Sequence, residues 1–268
     1  MPFRATLALA ALAIAAFVLP QSPAQARSGK GKKRISIVLD GLPERVNWND
    51  GDSFRVLKGP RKGEKARLVG YNTLESHGPV HFWGEFHGWE LYRTHKAATE
   101  LAKSKEWVCE SSGEADGYGR ILVICPELRE ALIKSGLAHV YAYNAEPDPA
   151  LVALQLEAQN NRKGMWRKGI PRAIVTSVHS IDEKASDGSV RTDSYNRMCD
   201  TRTGKTFVVK HASTFRTCDV FCNQGSCMLY IPFEFRYGDK KAACLKGDQG
   251  EKNRLRPATH LTEPHPMH

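Results

Sequence analysis

Apolar and polar residues alternate or cluster over residues 35–40 (ISIVLD) and 46–57, and both runs are rich in β-branched side chains. That pattern predicts strands. The Asp50-Gly51 pair inside the second run is a turn or bulge signal. It sets Asp50 and Asp52 at a bend, where short carboxylates converge. Residues 66–71 predict another strand, with Asn72 to Glu75 at its end. Residues 107–109 and 121–125 predict a strand pair around 110–119. The spacing turns helical over 89–103, with Leu91, Ala98 and Leu101 inward, and again over 128–138 and 151–163. Gly136 and Gly164 read as helix stops, and Glu157 as one half of a buried or half-buried structural pair. Residues 206–210 and 228–237 read as strands, and 77–88 (HGPVHFWGEFHG) as a long loop.

The chain of 268 residues is long enough for one or two domains. A short basic start, an apolar run over 5–19 and Ala24-Gln25-Ala26 read as a secretory signal peptide, residues 1–26, cleaved after Ala26. The expectation is a secreted or periplasmic protein. No later run is long and apolar enough to span a bilayer, so no stable membrane insertion is expected after cleavage. Residues 27–34 form a basic, polar arm, expected to be disordered. Residues 35–171 form the main domain, 172–193 a linker rich in Ser, Asp and Lys, 194–247 a cysteine-bearing module and 248–268 a polar tail, expected to be disordered.

The formal net charge is +10, and the leader contributes only Arg4 to it. A basic exported protein suits a polyanionic partner, since phosphates attract Lys and Arg over a Debye length. Seven cysteines in an exported chain point to disulfides. Cys109 and Cys125 flank the predicted strand pair and are placed for a cross-strand bridge. Cys199, Cys218, Cys222, Cys227 and Cys244 lie near the C-terminus, and five cannot pair among themselves. The rival reading of Cys218, Cys222 and Cys227 is a zinc site, although their spacing is poor for a finger.

Three stretches carry the chemistry: Asp50-Gly51-Asp52-Ser53, residues 67–75 (RLVGYNTLE) and residues 116–120 (DGYGR). Close carboxylates hold a hard cation through oxygen. A glutamate orients or deprotonates a water. Arginine forks fit phosphate oxygens and stabilise charge in a phosphoryl transition state. His77, His81 and His87 invite a metal reading, but their spacing on a loop fixes no geometry, and packing is the plainer role.

With these stretches in this order, followed by the two later helical runs and Gly164-Met165-Trp166, residues 34–171 resemble the staphylococcal nuclease-like (thermonuclease) family. The resemblance implies a mainly β, α+β fold: a five-stranded OB-type Greek-key barrel with three helices, here followed by a small cysteine-bearing, β-rich C-terminal module. It implies a calcium-dependent nuclease that cleaves DNA and RNA and leaves 3′-phosphate products, acting here as a monomer. By motif, Asp52 is a direct metal ligand, Asp50 a supporting carboxylate, and Thr73 a backbone-carbonyl ligand. Glu75 positions or activates the attacking water, and Arg67 and Arg120 grip the scissile phosphate. Tyr118 sits beside the nucleotide, with Tyr141 or Tyr143 as the base-stacking partner.

Three positions depart from the family pattern. Asn72 stands where the family carries a second carboxylate ligand. Its carbonyl oxygen still suits a hard cation but brings no charge, which weakens calcium binding. Leu74 replaces a rigid Pro, and Gly117 stands where a Lys is common. Asn72 keeps a rival open: a catalytically weak OB-type nucleic-acid-binding protein. A third reading is a cell-surface interaction protein led by the cysteine module.

Overall fold

The computed structural model describes Met1, residues 36–183 and residues 194–246. The expected signal peptide beyond Met1, the whole basic arm, residues 184–193 of the expected linker and the C-terminal tail lie outside the described residues. Within them the first strands follow the alternation of the sequence. Strand β1 (Ser36–Leu39) turns at Asp40 and Gly41 into β2 (Leu42–Trp48), where Val46 and Trp48 point inward between exposed neighbours. Strand β3 (Ser53–Lys58) and β4 (Lys65–Leu68) follow as an antiparallel pair. Strands β5 (Gly70–Asn72) and β6 (His81–Trp83) precede helix α1 (Gly88–Ala102). Next come β7 (Trp107–Ala115), β8 (Ile121–Ile124), α2 (Pro126–Lys134), β9 (His139–Tyr141) and α3 (Pro149–Asn160).

A closed barrel runs in the order β1-β2-β3-β4-β8-β7. Its parallel seams are β1 against β7 and β4 against β8. The expected OB-type barrel is therefore present, with six strands, because the Asp40-Gly41 turn makes β1 a strand of its own. Ile37, Leu39, Phe54, Val56, Leu68 and Val123 fill the core. Helices α2 and α3 both start on Pro, whose missing N–H costs nothing in the first turn. Asp148 caps α3 by accepting from the Ala150 amide at 2.9 Å. Gly136 follows the C-cap of α2 at positive φ, as expected of a stop, whereas α3 already ends at Asn160 and Gly164 opens the 3-10 turn Gly164–Trp166 instead. A Cβ on Gly164 would lie 2.1 Å from the Gly136 carbonyl oxygen. Glu157 is exposed, so the expected structural pair is absent there. Gln155 and Gln159 are the buried polar groups of α3, both donating to the Thr201 carbonyl.

The C-terminal region departs further from expectation. Residues 173–177, at the head of the expected linker, form β10 (Ala173–Ser177) with Ala173, Ile174 and Val175 buried. It pairs with β11 (Ser194–Asp200), which pairs with β12 (Thr206–His211). Strands β13 (Val220–Asn223) and β14 (Ser226–Leu229) form a hairpin, and β14 takes β6 as its other neighbour. The strand expected over 228–237 thus ends at Leu229. Residues 81–83, expected in a loop, are extended because β14 supplies their hydrogen-bond partner. Val80 and Phe82 share a core with Val175, Met198, Met228, Leu229 and Leu245. The C-terminal strands therefore build a second core around Val80 and Phe82 of the β6 segment, beside the barrel core.

Cysteines 109 and 125 are bridged, as are 218 with 244 and 222 with 227. The bridges exclude the zinc reading of Cys218, Cys222 and Cys227. Cys199 is the odd thiol, buried, with its Sγ 3.2 Å from the Val140 carbonyl oxygen. Burial pushes its ionisation far up, and the thiolate is the reactive form. A thiol reagent is expected to find no group in the native protein and one after unfolding. Labelling in buffer and in denaturant measures both.

Candidate active site

The turn ahead of β3 is held by its own side chains. Asp50 accepts from the Asp52 amide at 3.1 Å and from the Ser53 hydroxyl at 2.8 Å. Gly51 is required there: a Cβ would sit 2.7 Å from Thr73 Cγ2 and 3.0 Å from Ala98 Cβ. Tyr71, buried in β5, donates its hydroxyl to the Gly51 carbonyl at 2.8 Å. These contacts lock the carboxylate turn onto the end of β5.

Asp52 is 2% exposed and saturated with donors. Arg67 donates through Nη1 to one of its oxygens, and the Thr73 amide (2.6 Å) and hydroxyl (2.8 Å) donate to the other. The second nitrogen of the same guanidinium, Nη2, donates to Asn72 Oδ1. One arginine fork therefore spans two of the residues that the sequence assigns to the metal, Asp52 and Asn72. The Asp50 carboxyl is pushed up to about 8, first by burial and then by the charge of Asp52.

Glu75 stands just beyond β5. Its amide donates to His81 Nε2 at 3.3 Å, and its carboxylate lies 3.4 Å from His77 Nδ1. Burial raises its pKa, but His77, His81 and Arg236 outweigh that and hold it down to about 2. Burial lowers His81 to about 4, so its ring is neutral near pH 7. Leu74 does not loosen this segment. Its side chain packs with Trp83, Phe86 and Leu91, and its carbonyl is 2.9 Å from His95 Nδ1.

Asp50, Asp52, Arg67, Asn72, Thr73, Glu75 and Arg120 line one pocket of about 150 Å³, with Leu74 and Ser76. All the residues assigned from sequence to the metal, the water and the phosphate thus face a common space. Arg120 reaches it from the β7–β8 turn, its Nε (2.7 Å) and Nη2 (2.6 Å) held by Asp116 Oδ2. Tyr118 is 84% exposed, its ring 5.5 Å from the Arg120 guanidinium carbon. Of the other two tyrosines, Tyr141 is half-buried and acts electrostatically on Arg67. None of the three tyrosines is among the pocket's lining residues, and Tyr143 packs on Arg197. His87 precedes α1, its amide donating to Glu90 at 3.0 Å. Among the described residues no cluster of three His, Cys, Asp or Glu forms a ready metal cage. His77, His81, His95 and His139 were not assigned to the site from sequence. His139 is the cross-strand partner of Asn72, and only a pattern pairing β5 with β9 reveals it.

The sequence profile of the staphylococcal nuclease homologue family matches residues 65–168. An uncharacterized endonuclease of Escherichia coli is 30% identical over 131 residues, covering 46% of this chain and 74% of that protein. The chain belongs to the staphylococcal nuclease family. Another uncharacterized endonuclease, from Escherichia coli O157:H7, is 29% identical over 131 residues. The profile begins at Lys65, the first residue of β4. The Asp50–Ser53 turn therefore joins this nuclease-family site through the geometry above.

The charge of Asp50 gives the site a pH signature. Its folded pKa of about 8 lies above the model-compound 3.8. Below 3.8 both states are protonated, and between the two values only the folded state keeps the proton. Stability is therefore expected to fall as pH rises through that window and to level above it. Asp50→Asn removes this contribution. Metal-free urea denaturation from pH 4 to pH 9 checks it, the variant gaining most at the alkaline end.

Proposed function

We propose that the protein is an exported, metal-dependent nuclease that hydrolyses phosphodiester bonds of DNA, RNA or both with little sequence preference. The observation that carries this reading is the single pocket lined by Glu75, Arg67, Arg120 and the carboxylates of Asp50 and Asp52. The names of the two bacterial relatives agree with it. The family is generally calcium-dependent, and the donors here suit calcium: two carboxylates and an amide carbonyl, all hard oxygen. The Asp50 carboxyl is pushed up first by burial and then by the charge of Asp52, and a cation beside it would favour its ionised form. Asp50, Asp52, Asn72 and the Thr73 carbonyl would hold the ion. Bound there, calcium supplies positive charge against the phosphate oxygens.

The remaining chemistry belongs to the chain. Glu75 is ionised and partly exposed to the pocket, as a group that orients a water and takes its proton must be. His77 and His81 fix the segment that carries it. Arg120 keeps Nη1 outside its contacts with Asp116 and can turn it to a phosphate oxygen. Arg67 balances Asp52, and an anionic substrate competes for its fork. Three disulfides support an oxidising compartment, and with it export. Among the described residues no helix is long and apolar enough to cross a membrane.

The test is cleavage of single-stranded DNA and RNA by the purified protein, with chelator and across a calcium titration. Cleavage restored by calcium is the expected result, and its absence at every calcium concentration would refute the reading. Asn72→Asp adds a charged ligand and is expected to lower the calcium needed for half-activation by about tenfold, since affinity follows ligand charge. The rival, a strand-binding protein without activity, predicts salt-sensitive binding and no cleavage.

A further inference from the structure

The C-terminal strands carry a feature that the nuclease pocket does not use. Directly opposed residues of an antiparallel pair share one face. Tyr195 faces Lys210, and Arg197 faces Val208. Lys210 is exposed, Val208 is 48% exposed, and Tyr195 and Arg197 are half-buried. The loop after β9 lays Tyr143, 52% exposed, against this face. The Arg197 guanidinium carbon is 4.6 Å from the Tyr143 ring centre and 6.0 Å from that of Tyr195.

Arg197 makes no ion pair with any carboxylate among the described residues; its side chain hydrogen-bonds the neutral Tyr141 hydroxyl, and its Nε is buried without a hydrogen-bond partner. A partly buried guanidinium is ordinarily paired. Its charge is left for an anion from outside. Residues 194–246 hold nine Lys and Arg against four Asp and Glu, so the surroundings favour a polyanion. The face is also tied to the pocket. Cys199 Sγ reaches the Val140 carbonyl oxygen at 3.2 Å, and Thr206 Oγ1 donates to the Ala142 carbonyl at 3.0 Å. Val140 lies in β9, whose His139 is registered with Asn72 of the pocket. Tyr141 stands between the two places, acted on by both Arg67 and Arg197.

We infer that Tyr143, Tyr195, Arg197 and Lys210 form a binding platform for single-stranded nucleic acid, continuing the path of a strand beyond the Glu75 pocket. Aromatic faces that stack bases beside cations that meet the backbone are the general means of holding a single strand. A duplex keeps its bases stacked inside and gains little from such a platform. The inference rests on the nuclease reading for its direction, and binding tests it apart from catalysis.

The experiment measures the affinity of full-chain Glu75→Gln protein for a long single-stranded oligonucleotide, in deoxy and ribo forms, for a trinucleotide, and for a duplex. Tyr195→Ala in that background is expected to weaken long-strand binding by about tenfold, the scale of one lost base stack. Arg197→Ala is expected to weaken it similarly and to flatten the salt dependence by about one phosphate. Tyr195→Phe keeps the ring and should bind like the parent, and a thermal melt of each variant reports its folding. Trinucleotide and duplex affinities should stay within about twofold. Either sugar form showing this pattern supports the platform. Equal losses for the long strand, trinucleotide and duplex would overturn it, as would unchanged long-strand binding in a folded Tyr195→Ala or Arg197→Ala protein. Should Tyr195→Ala fail to fold, folded Arg197→Ala decides. A parent that binds in this way yet never cleaves refutes the nuclease reading and leaves the platform standing. A parent that cleaves while the variants bind normally does the reverse.

Discussion

Glu75→Gln is expected to lower phosphodiester cleavage by about 10²- to 10⁴-fold, the usual contribution of a positioned general base. Gln keeps the size of the side chain and its neighbours, but it cannot take a proton. The carboxylate it replaces is held ionised against the cost of burial chiefly by His77, with Arg236 also helping. Its backbone amide is fixed on His81, and the preceding carbonyl on His95, so the substitution leaves the segment in place. Single-turnover cleavage at saturating substrate measures the loss, and binding of the same strand should change little. A variant that keeps the parent rate removes Glu75 from the chemistry.

Arg67→Met is expected to destabilise the fold by about 3–5 kcal/mol, the scale for stripping one partner from a buried ion pair. Asp52 is 2% exposed and would keep only its contacts to Thr73, and Asn72 Oδ1 would lose its donor. Asp50 already feels the charge of Asp52, and without the guanidinium that repulsion goes unbalanced. Adding Asp52→Asn should restore most of the loss by removing the stranded charge. Arg67→Lys should fall between, because a single ammonium does not span both acceptors as the planar fork does. Denaturant unfolding measures all three. An Arg67→Met protein within about 0.5 kcal/mol of the parent would mean that this contact contributes little.

Much of the site was legible because its residues sit on local signals. Asp50-Gly51 marked a bend, and the bend proves to need glycine against Thr73 and Ala98. The alternation in 35–57 and 66–71 gave the barrel strands. What escaped depends on distant partners. Residues 81–83 follow Gly and Pro and read as a loop until β14, far along the chain, pairs with them. Residues 173–177 sit ahead of a polar stretch, and their burial becomes visible only once β11 covers them. The histidines around the site share no periodicity, since His77 comes from the loop after β5, His81 from β6, His95 from α1 and His139 from β9. Leu74 looked like a loss of rigidity because the sequence does not show that His95 takes its carbonyl. Arg197 gave no signal of its own, as nothing local ties it to Tyr143. The disulfide partners were open by counting alone, and the fold chose them by bringing strand neighbours together, as Cys222 and Cys227 show.

The central claim is that Glu75 serves a water in a pocket built to hold a cation and a phosphate. One calcium titration tests it most directly, following cleavage of single-stranded DNA by the parent, Glu75→Gln and Asn72→Asp side by side. The account predicts a parent that cleaves, a Glu75→Gln variant near the baseline throughout, and an Asn72→Asp variant active at lower calcium. A Glu75→Gln variant as fast as the parent, or a parent and Asn72→Asp that both bind the strand without cutting it, would contradict it.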